Sequence, residues 1–134
     1  MGTVRSAGAS APQTAKSAAA LRTFFAIARA WGLSTGQAMA LLGLQSRSTY
    51  FKWKKAPHSA RLSADTLERL SYIFGIYKAL HILLPQPAAA DGWLSRPNSA
   101  APFNGRPALE RMLSGQVADL FIVRQYLDAA RGWS

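Results

Sequence analysis

The chain has 134 residues, with 16 lysines and arginines against 6 aspartates and glutamates, a net charge of +10 and an isoelectric point near 11.0. That length holds one domain or two very small ones. An apolar fraction of 49 % with 4 Trp, 4 Tyr and 6 Phe supplies a core and excludes wholesale disorder, and the lack of cysteine excludes a disulfide scaffold, a thiolate zinc site and a cysteine nucleophile.

Residues 1–14 (MGTVRSAGASAPQT) read as a disordered tail, too poor in apolar bulk to offset ordering entropy. Residues 15–31 read as a helix, because Leu21, Phe24, Phe25, Ala28 and Trp31 recur at helical spacing before Gly32. Ser34 opens a second helix, and Gln37 three positions on completes a capping box. Ala38, Leu41 and Leu42 form its inner face, and Gly43 stops it after about two turns of 3.6 residues. Ser46 caps a third helix over Arg47–Lys55, which ends before Pro57.

Ser63 is the expected N-cap of a long fourth helix, with Asp65 in its first turn, Leu62 and Leu67 at hydrophobic-staple positions, and a stripe running through Leu67, Leu70, Ile73 or Phe74, Tyr77, Leu80 or His81 to Leu84. Residues 85–107 hold five of the seven prolines, so this stretch supports no more than a helical turn around Ala89–Leu94. Pro107 suits the first position of a fifth helix, 107–114, closed by Gly115, and a last helix runs from about Gln116 to Arg131. No alternating strand pattern and no repeat occurs, so the predicted fold is all-α, divided into a tail (1–14), a helix-turn-helix bundle (15–84) and a small helical C-terminal unit (85–134).

Charge is divided along the chain. Residues 1–61 hold nine basic groups and no acid, whereas residues 62–134 hold seven basic groups and all six acids. A basic half joined to a near-neutral half suggests that one half meets a polyanion and the other does something else. The most apolar stretch, Tyr72–Leu84, has 13 residues and includes Lys78 and His81. A bilayer span needs about 20 apolar residues, so no membrane segment is expected. Val4–Ala20 lacks the apolar run of a signal peptide, and a cytoplasmic location is expected, although the segment is acid-poor and serine-rich as transit peptides are.

Catalysis finds little support. His58 and His81 stand 23 residues apart with no carboxylate at metal-ligand spacing, Asp65 and Glu68 fit a capping pair, and no phosphate-loop, dinucleotide or hydrolase motif is present. No enzyme activity, metal or cofactor is therefore expected.

The strongest physical signal is the short helix, tight turn and basic helix over residues 34–55. Arg47, Ser48, Thr49 and Tyr50, followed by Lys52, Lys54 and Lys55, suit a major groove: arginine pairs with guanine, hydroxyls take either base, and lysines hold phosphate. Tyr50, Phe51 and Trp53 could interleave with nucleic acid, but Phe51 and Trp53 on so short a helix read more readily as core. A single short recognition helix reads few bases, so a homodimer is expected, with the surplus apolar surface of Tyr72–Leu84 as its candidate face. The last helix carries two apolar stripes, Val117, Leu120, Phe121 and Leu127, and Ile122, Val123, Tyr126, Ala130 and Trp133. Either it is a buried central helix, or it is shared between a core and a partner protein.

Leu33–Leu44 followed by Ser46-Arg47-Ser48-Thr49 and Lys52-Trp53-Lys54-Lys55 resembles the Xre-type helix-turn-helix. Trp93-Leu94-Ser95-Arg96-Pro97-Asn98, then Phe103-Asn104-Gly105-Arg106-Pro107-Ala108-Leu109, then Gly115 and Val117 to Leu120, resemble the toxin-binding domain of Xre/MbcA/ParS-type antitoxins, and the two parts span residues 16–134 in that family's order. The sequence departs from the family at Arg106, where Thr or Ser is usual, and at Gly115-Gln116, where paired glycines are common. The resemblance implies an antitoxin that covers the active site of a RES-domain, NAD-degrading toxin with its C-terminal domain and represses its own operon by binding operator DNA.

On that basis Phe121, Arg124, Tyr126, Arg131 and Trp133 are the expected toxin-binding residues. Phe121 and Tyr126 would anchor as buried aromatics. Arg131, beside Trp133, would reach the site that holds the dinucleotide phosphates, or would serve only as a last-turn cation. The competing reading is a stand-alone regulator whose C-terminal half dimerises or senses a ligand.

Overall fold

A computed structural model describes residues 11–132. Among these described residues, seven α-helices follow in order: α1 (Ala11–Ala30), α2 (Thr35–Leu42), α3 (Arg47–Lys55), α4 (Ala64–Leu83), α5 (Pro87–Gly92), α6 (Ala108–Met112) and α7 (Val117–Ala130). Short 3₁₀ turns follow α3 at Pro57–Ser59 and α5 at Trp93–Ser95. Helix α1 starts at Ala11 rather than at residue 15; Pro12 falls in its first turn, where a missing N–H costs nothing. Residues 1–10 of the expected tail, and Trp133, lie outside the described residues.

Local sequence sets the helix starts. Ser34 Oγ accepts from the Gln37 backbone N–H at 3.1 Å, while the Gln37 side chain accepts from the Ser34 N–H at 2.9 Å. Ser46 Oγ accepts from the Thr49 N–H at 3.2 Å, and Ser63 Oγ from the Thr66 N–H at 3.1 Å. Gly43 closes α2 with φ 72°, a left-handed conformation that a side chain disfavours.

Helix α4 is the spine. It packs against α1 and α2 with one part of its surface and against α5 and α7 with another, burying Leu70, Ile73, Ile76, Ala79 and Leu80. One continuous core results, from Leu21 and Phe24 on α1 through Leu41 and Leu42 on α2 to Leu120 and Leu127 on α7. The apolar surplus of Tyr72–Leu84 is therefore largely used within the chain. Leu67, expected to open the inward stripe, is 44 % exposed, and Thr66 and Arg69 take the buried positions instead.

The proline-rich connection holds a feature that periodicity did not announce. Pro97–Asn98 (β1) and Arg106–Pro107 (β2) pair antiparallel, Pro97 with Pro107 and Asn98 with Arg106. This two-residue ladder keeps Pro107 extended at φ −63° and ψ 142°, so Pro107 is the N-cap of a shorter α6 rather than its first residue. Arg106 is thus a strand residue, ion-paired with Glu110, and α6 starts at Pro107 without a side-chain cap. The protein is mostly α-helical, with a helix-turn-helix region in α1–α3 and a smaller helical region at the C-terminal end.

Candidate functional site

The tight turn between α2 and α3 is held from behind. Arg69 on α4 is 9 % exposed and lies over Gly43, where a Cβ would stand 2.7 Å from its Nε. Its Nε donates to Asp65 Oδ2 at 2.8 Å and its Nη2 donates to the Gly115 carbonyl at 2.9 Å. One guanidinium therefore ties the helix-turn-helix to the loop between α6 and α7.

On α3, Tyr50 and Trp53 point inward, 3 % and 8 % exposed, with Tyr50 edge-on to Phe25 at 5.6 Å. Tyr50 is thereby corrected from a DNA-facing residue to a core residue, and burial raises its phenol pKa above 10.0. Residues i and i+3 share a helix face, so this buried pair defines the inner side. Arg47, Ser48, Lys52, Lys54 and Lys55 are exposed, while Thr49 is half-buried. Phe51, expected in the core, is 45 % exposed. The pairing of Tyr50 with Trp53 was the signal that could have found it: Phe51 lies about 100° from Tyr50 and about 200° from Trp53 around the helix.

Electrostatics sharpen this face. All six carboxylates are engaged inside the fold: Asp65 with Arg69, Glu68 with the Tyr72 hydroxyl, Asp91 with His81, Glu110 with Arg106, Asp119 with Arg111, and Asp128 with Arg124 and Arg131. Among the described residues, no ion pair involves a basic group before Arg69, so the positive charge of α3 faces solvent uncompensated. Also among the described residues, no three His, Asp or Glu side chains gather as a metal site.

A second surface lies on α7. Leu120, Val123 and Leu127 face the core, whereas Phe121 is 45 % exposed and edge-on to Tyr72 at 5.6 Å. Tyr126 is half-buried, stacked at 6.3 Å from Trp93 and edge-on to Phe103 at 5.2 Å. Tyr72, Pro102, Phe121, Arg124, Tyr126 and Asp128 line an open groove of about 840 Å³. Arg124 lies across Gly75 of α4, where any Cβ would collide with it, and donates to the Ser71 carbonyl at 3.3 Å. This close approach lets α4 and α7 pack together. Arg131 caps the C-terminal end of α7 with its side chain only 10 % exposed and 3.9 Å from Asp128 Oδ1, so it lies against the fold rather than projecting.

The junction of α6 and α7 depends on Asp119. Ser114 Oγ donates to its Oδ2 at 2.6 Å and Arg111 Nε to its Oδ1 at 2.8 Å, and Arg111 also donates to the Pro102 carbonyl at 2.7 Å. The Ser114 hydrogen bond, supported by Arg111 and opposed by burial, holds the carboxyl below its ordinary 3.8. The folded state thus binds this proton less readily than the unfolded chain. The contribution is present above the unfolded pKa of 3.8 and is lost as pH falls through the lower folded value. Ser114→Ala is expected to raise the Asp119 pKa and move acid unfolding to higher pH, checked by carboxyl NMR titration and circular dichroism; an unchanged Asp119 titration would contradict the assignment.

The short α2, the tight turn and the basic outer face of α3, carried on a core shared with a second helical unit, define a helix-turn-helix protein with an additional helical module. The family model described as Antitoxin Xre-like helix-turn-helix domain matches residues 10–75, and that described as Antitoxin Xre/MbcA/ParS C-terminal toxin-binding domain matches residues 79–132. The chain is also 51 % identical over 119 residues, 89 % of each chain, to a Sinorhizobium fredii (strain NBRC 101917 / NGR234) protein named Uncharacterized protein y4oB. The chain is an Xre/MbcA/ParS-type protein, a helix-turn-helix domain followed by a toxin-binding domain, an architecture consistent with an antitoxin or regulator. No helix among the described residues is long and apolar enough to cross a membrane.

Proposed function

We propose that this protein is the cytoplasmic antitoxin of a RES-domain toxin that degrades NAD, and that as a homodimer it binds its own operator through α3. The observation that carries the toxin reading is the exposed Phe121 in an open aromatic groove within the module that matches the toxin-binding domain. The RES class rests on the resemblance at Trp93–Asn98 and Phe103–Leu109. The operator reading is supported by the uncompensated basic face of α3, where Arg47 and Ser48 stand at the helix start, Thr49 at its flank, and Lys52, Lys54 and Lys55 farther along.

Co-expression with the product of the adjacent reading frame tests the toxin half: a stable complex and preserved cellular NAD are expected. Failure of a RES-type protein to co-purify would favour the stand-alone regulator. For the operator half, Arg47→Ala is expected to cost about 1–3 kcal/mol on the promoter DNA by removing a guanine contact. Lys55→Ala should weaken all sequences alike and lower the slope of affinity against salt. Fluorescence anisotropy at several salt concentrations reads both, and equal operator affinity for wild type and Arg47→Ala would refute the assignment of α3.

A further inference from the structure

The outer face of α3 contains one group that does not belong on a surface built only for phosphate. Phe51 is 45 % exposed, with exposed Ser48 and Lys55 on its helix face and exposed Lys52 beside it in the chain. Its direction is braced: the ring meets buried Tyr50 edge-on at 5.3 Å, and Tyr50 meets Phe25 of the core edge-on at 5.6 Å. The Arg47 guanidinium lies over the Phe51 ring, 5.7 Å from its centroid. The arginine is thereby held near the ring, and the pair forms one bifunctional tip at the start of the helix.

An aromatic ring gains nothing from a hydrated, charged phosphate. Among the groups a major groove displays, the apolar one is the C5-methyl of thymine, and phenylalanine is among the residues that contact it. We infer that Phe51 is a specificity-determining residue that reads a thymine methyl beside the guanine read by Arg47; this rests on the operator-binding reading above. Residues 47 and 51 are separated by one helical turn, about 6 Å along the axis. That advance spans about two base steps of 3.4 Å. The thymine therefore lies no more than two base pairs from the guanine.

Site selection from a random duplex library, with wild type and Phe51→Ser, tests this. The wild-type consensus should contain a guanine with a thymine within two base pairs. Replacing that thymine by uracil deletes only the methyl, and should weaken wild-type binding about 3–5-fold, the loss corresponding to burial of one methyl-sized group. Phe51→Ser should keep the guanine preference, lose the thymine preference and bind the thymine and uracil duplexes equally. Phe51→Leu, which retains an apolar tip, should still discriminate them.

Wild-type indifference to uracil throughout the selected site overturns the inference while leaving operator binding intact. So does a Phe51→Ser protein that still prefers thymine, or one whose affinity falls equally on all sequences together with a changed oligomeric state by light scattering. If wild type selects no sequence at all, the operator reading itself fails and takes this inference with it. The uracil comparison needs no variant, so it decides the case even if Phe51→Ser folds poorly.

Discussion

Gly43→Ala is expected to destabilise the protein by about 2–4 kcal/mol. Part of this is backbone: at φ 72°, an L-residue with a Cβ costs about 1–2 kcal/mol. The rest comes from Arg69, whose Nε and Cζ would stand 2.7 and 2.8 Å from the new methyl. A guanidinium on a free stem would swing aside at little cost. This one is pinned by Asp65 and by the Gly115 carbonyl, so shifting it strains two charge-assisted hydrogen bonds at a cost of about 1–2 kcal/mol, a part of what they are worth. Urea unfolding of Gly43→Ala, Arg69→Ala and the double variant separates the two parts. The double variant should lose less than the sum of the singles, because the clash needs both side chains. Strict additivity would show that Arg69 yields freely and that only the backbone term operates. The same series bears on function, since the turn sets the angle at which α3 leaves α2, and operator affinity should fall in Gly43→Ala even where the chain remains folded.

Phe121→Ala is expected to abolish toxin neutralisation while leaving the fold and operator binding intact. A central aromatic anchor truncated at an interface costs about 2–4 kcal/mol, a loss of about 30- to 1000-fold in affinity. The intramolecular cost is small, because the ring is exposed and the contact it gives up is an edge-on pairing with Tyr72, worth about 0.5–1.5 kcal/mol. Ile82, on α4 and 50 % exposed, is the control: Ile82→Ala removes an equally exposed apolar side chain outside the α7 groove and should neutralise as wild type does. Growth after toxin induction, with antitoxin levels matched by blotting, is the readout. Full protection by Phe121→Ala would move the interface off this groove. Tyr126 is the poorer probe, since its contacts with Trp93 and Phe103 make its removal a packing defect as well as an interface change.

Elements whose cause is local were legible in the amino-acid order. Ser34 with Gln37, Ser46 and Ser63 each satisfy a backbone N–H three residues on, an interaction that needs no tertiary partner, and the helices start where those residues stand. Gly43 ends α2 because the left-handed turn favours a residue without a Cβ. The charge division was equally plain, and the family resemblance added the order of the two modules. The start of α1 and the β1–β2 pair were not legible. A two-residue ladder has no periodicity to detect, and the loop it closes carries Phe103 into the core.

Packing across the chain decided the rest. Phe51 and Tyr50 are adjacent and chemically alike; the i, i+3 spacing of Tyr50 and Trp53 offers one face, and the packing of α1, where Phe25 meets Tyr50, covers that face and leaves Phe51 in solvent. Arg69 and Arg124 look like surface cations in a helical pattern. They are committed to Gly43 with Gly115 and to Gly75 with Ser71, residues 26 to 53 positions away in the chain. The two modules meet within α4, between residues 75 and 79, yet that helix is continuous and one core runs through both. A cap or a glycine turn is specified by neighbours a few residues apart, whereas the facing of a ring, the partner of an arginine and the sharing of a core depend on contacts that exist only once distant helices have packed.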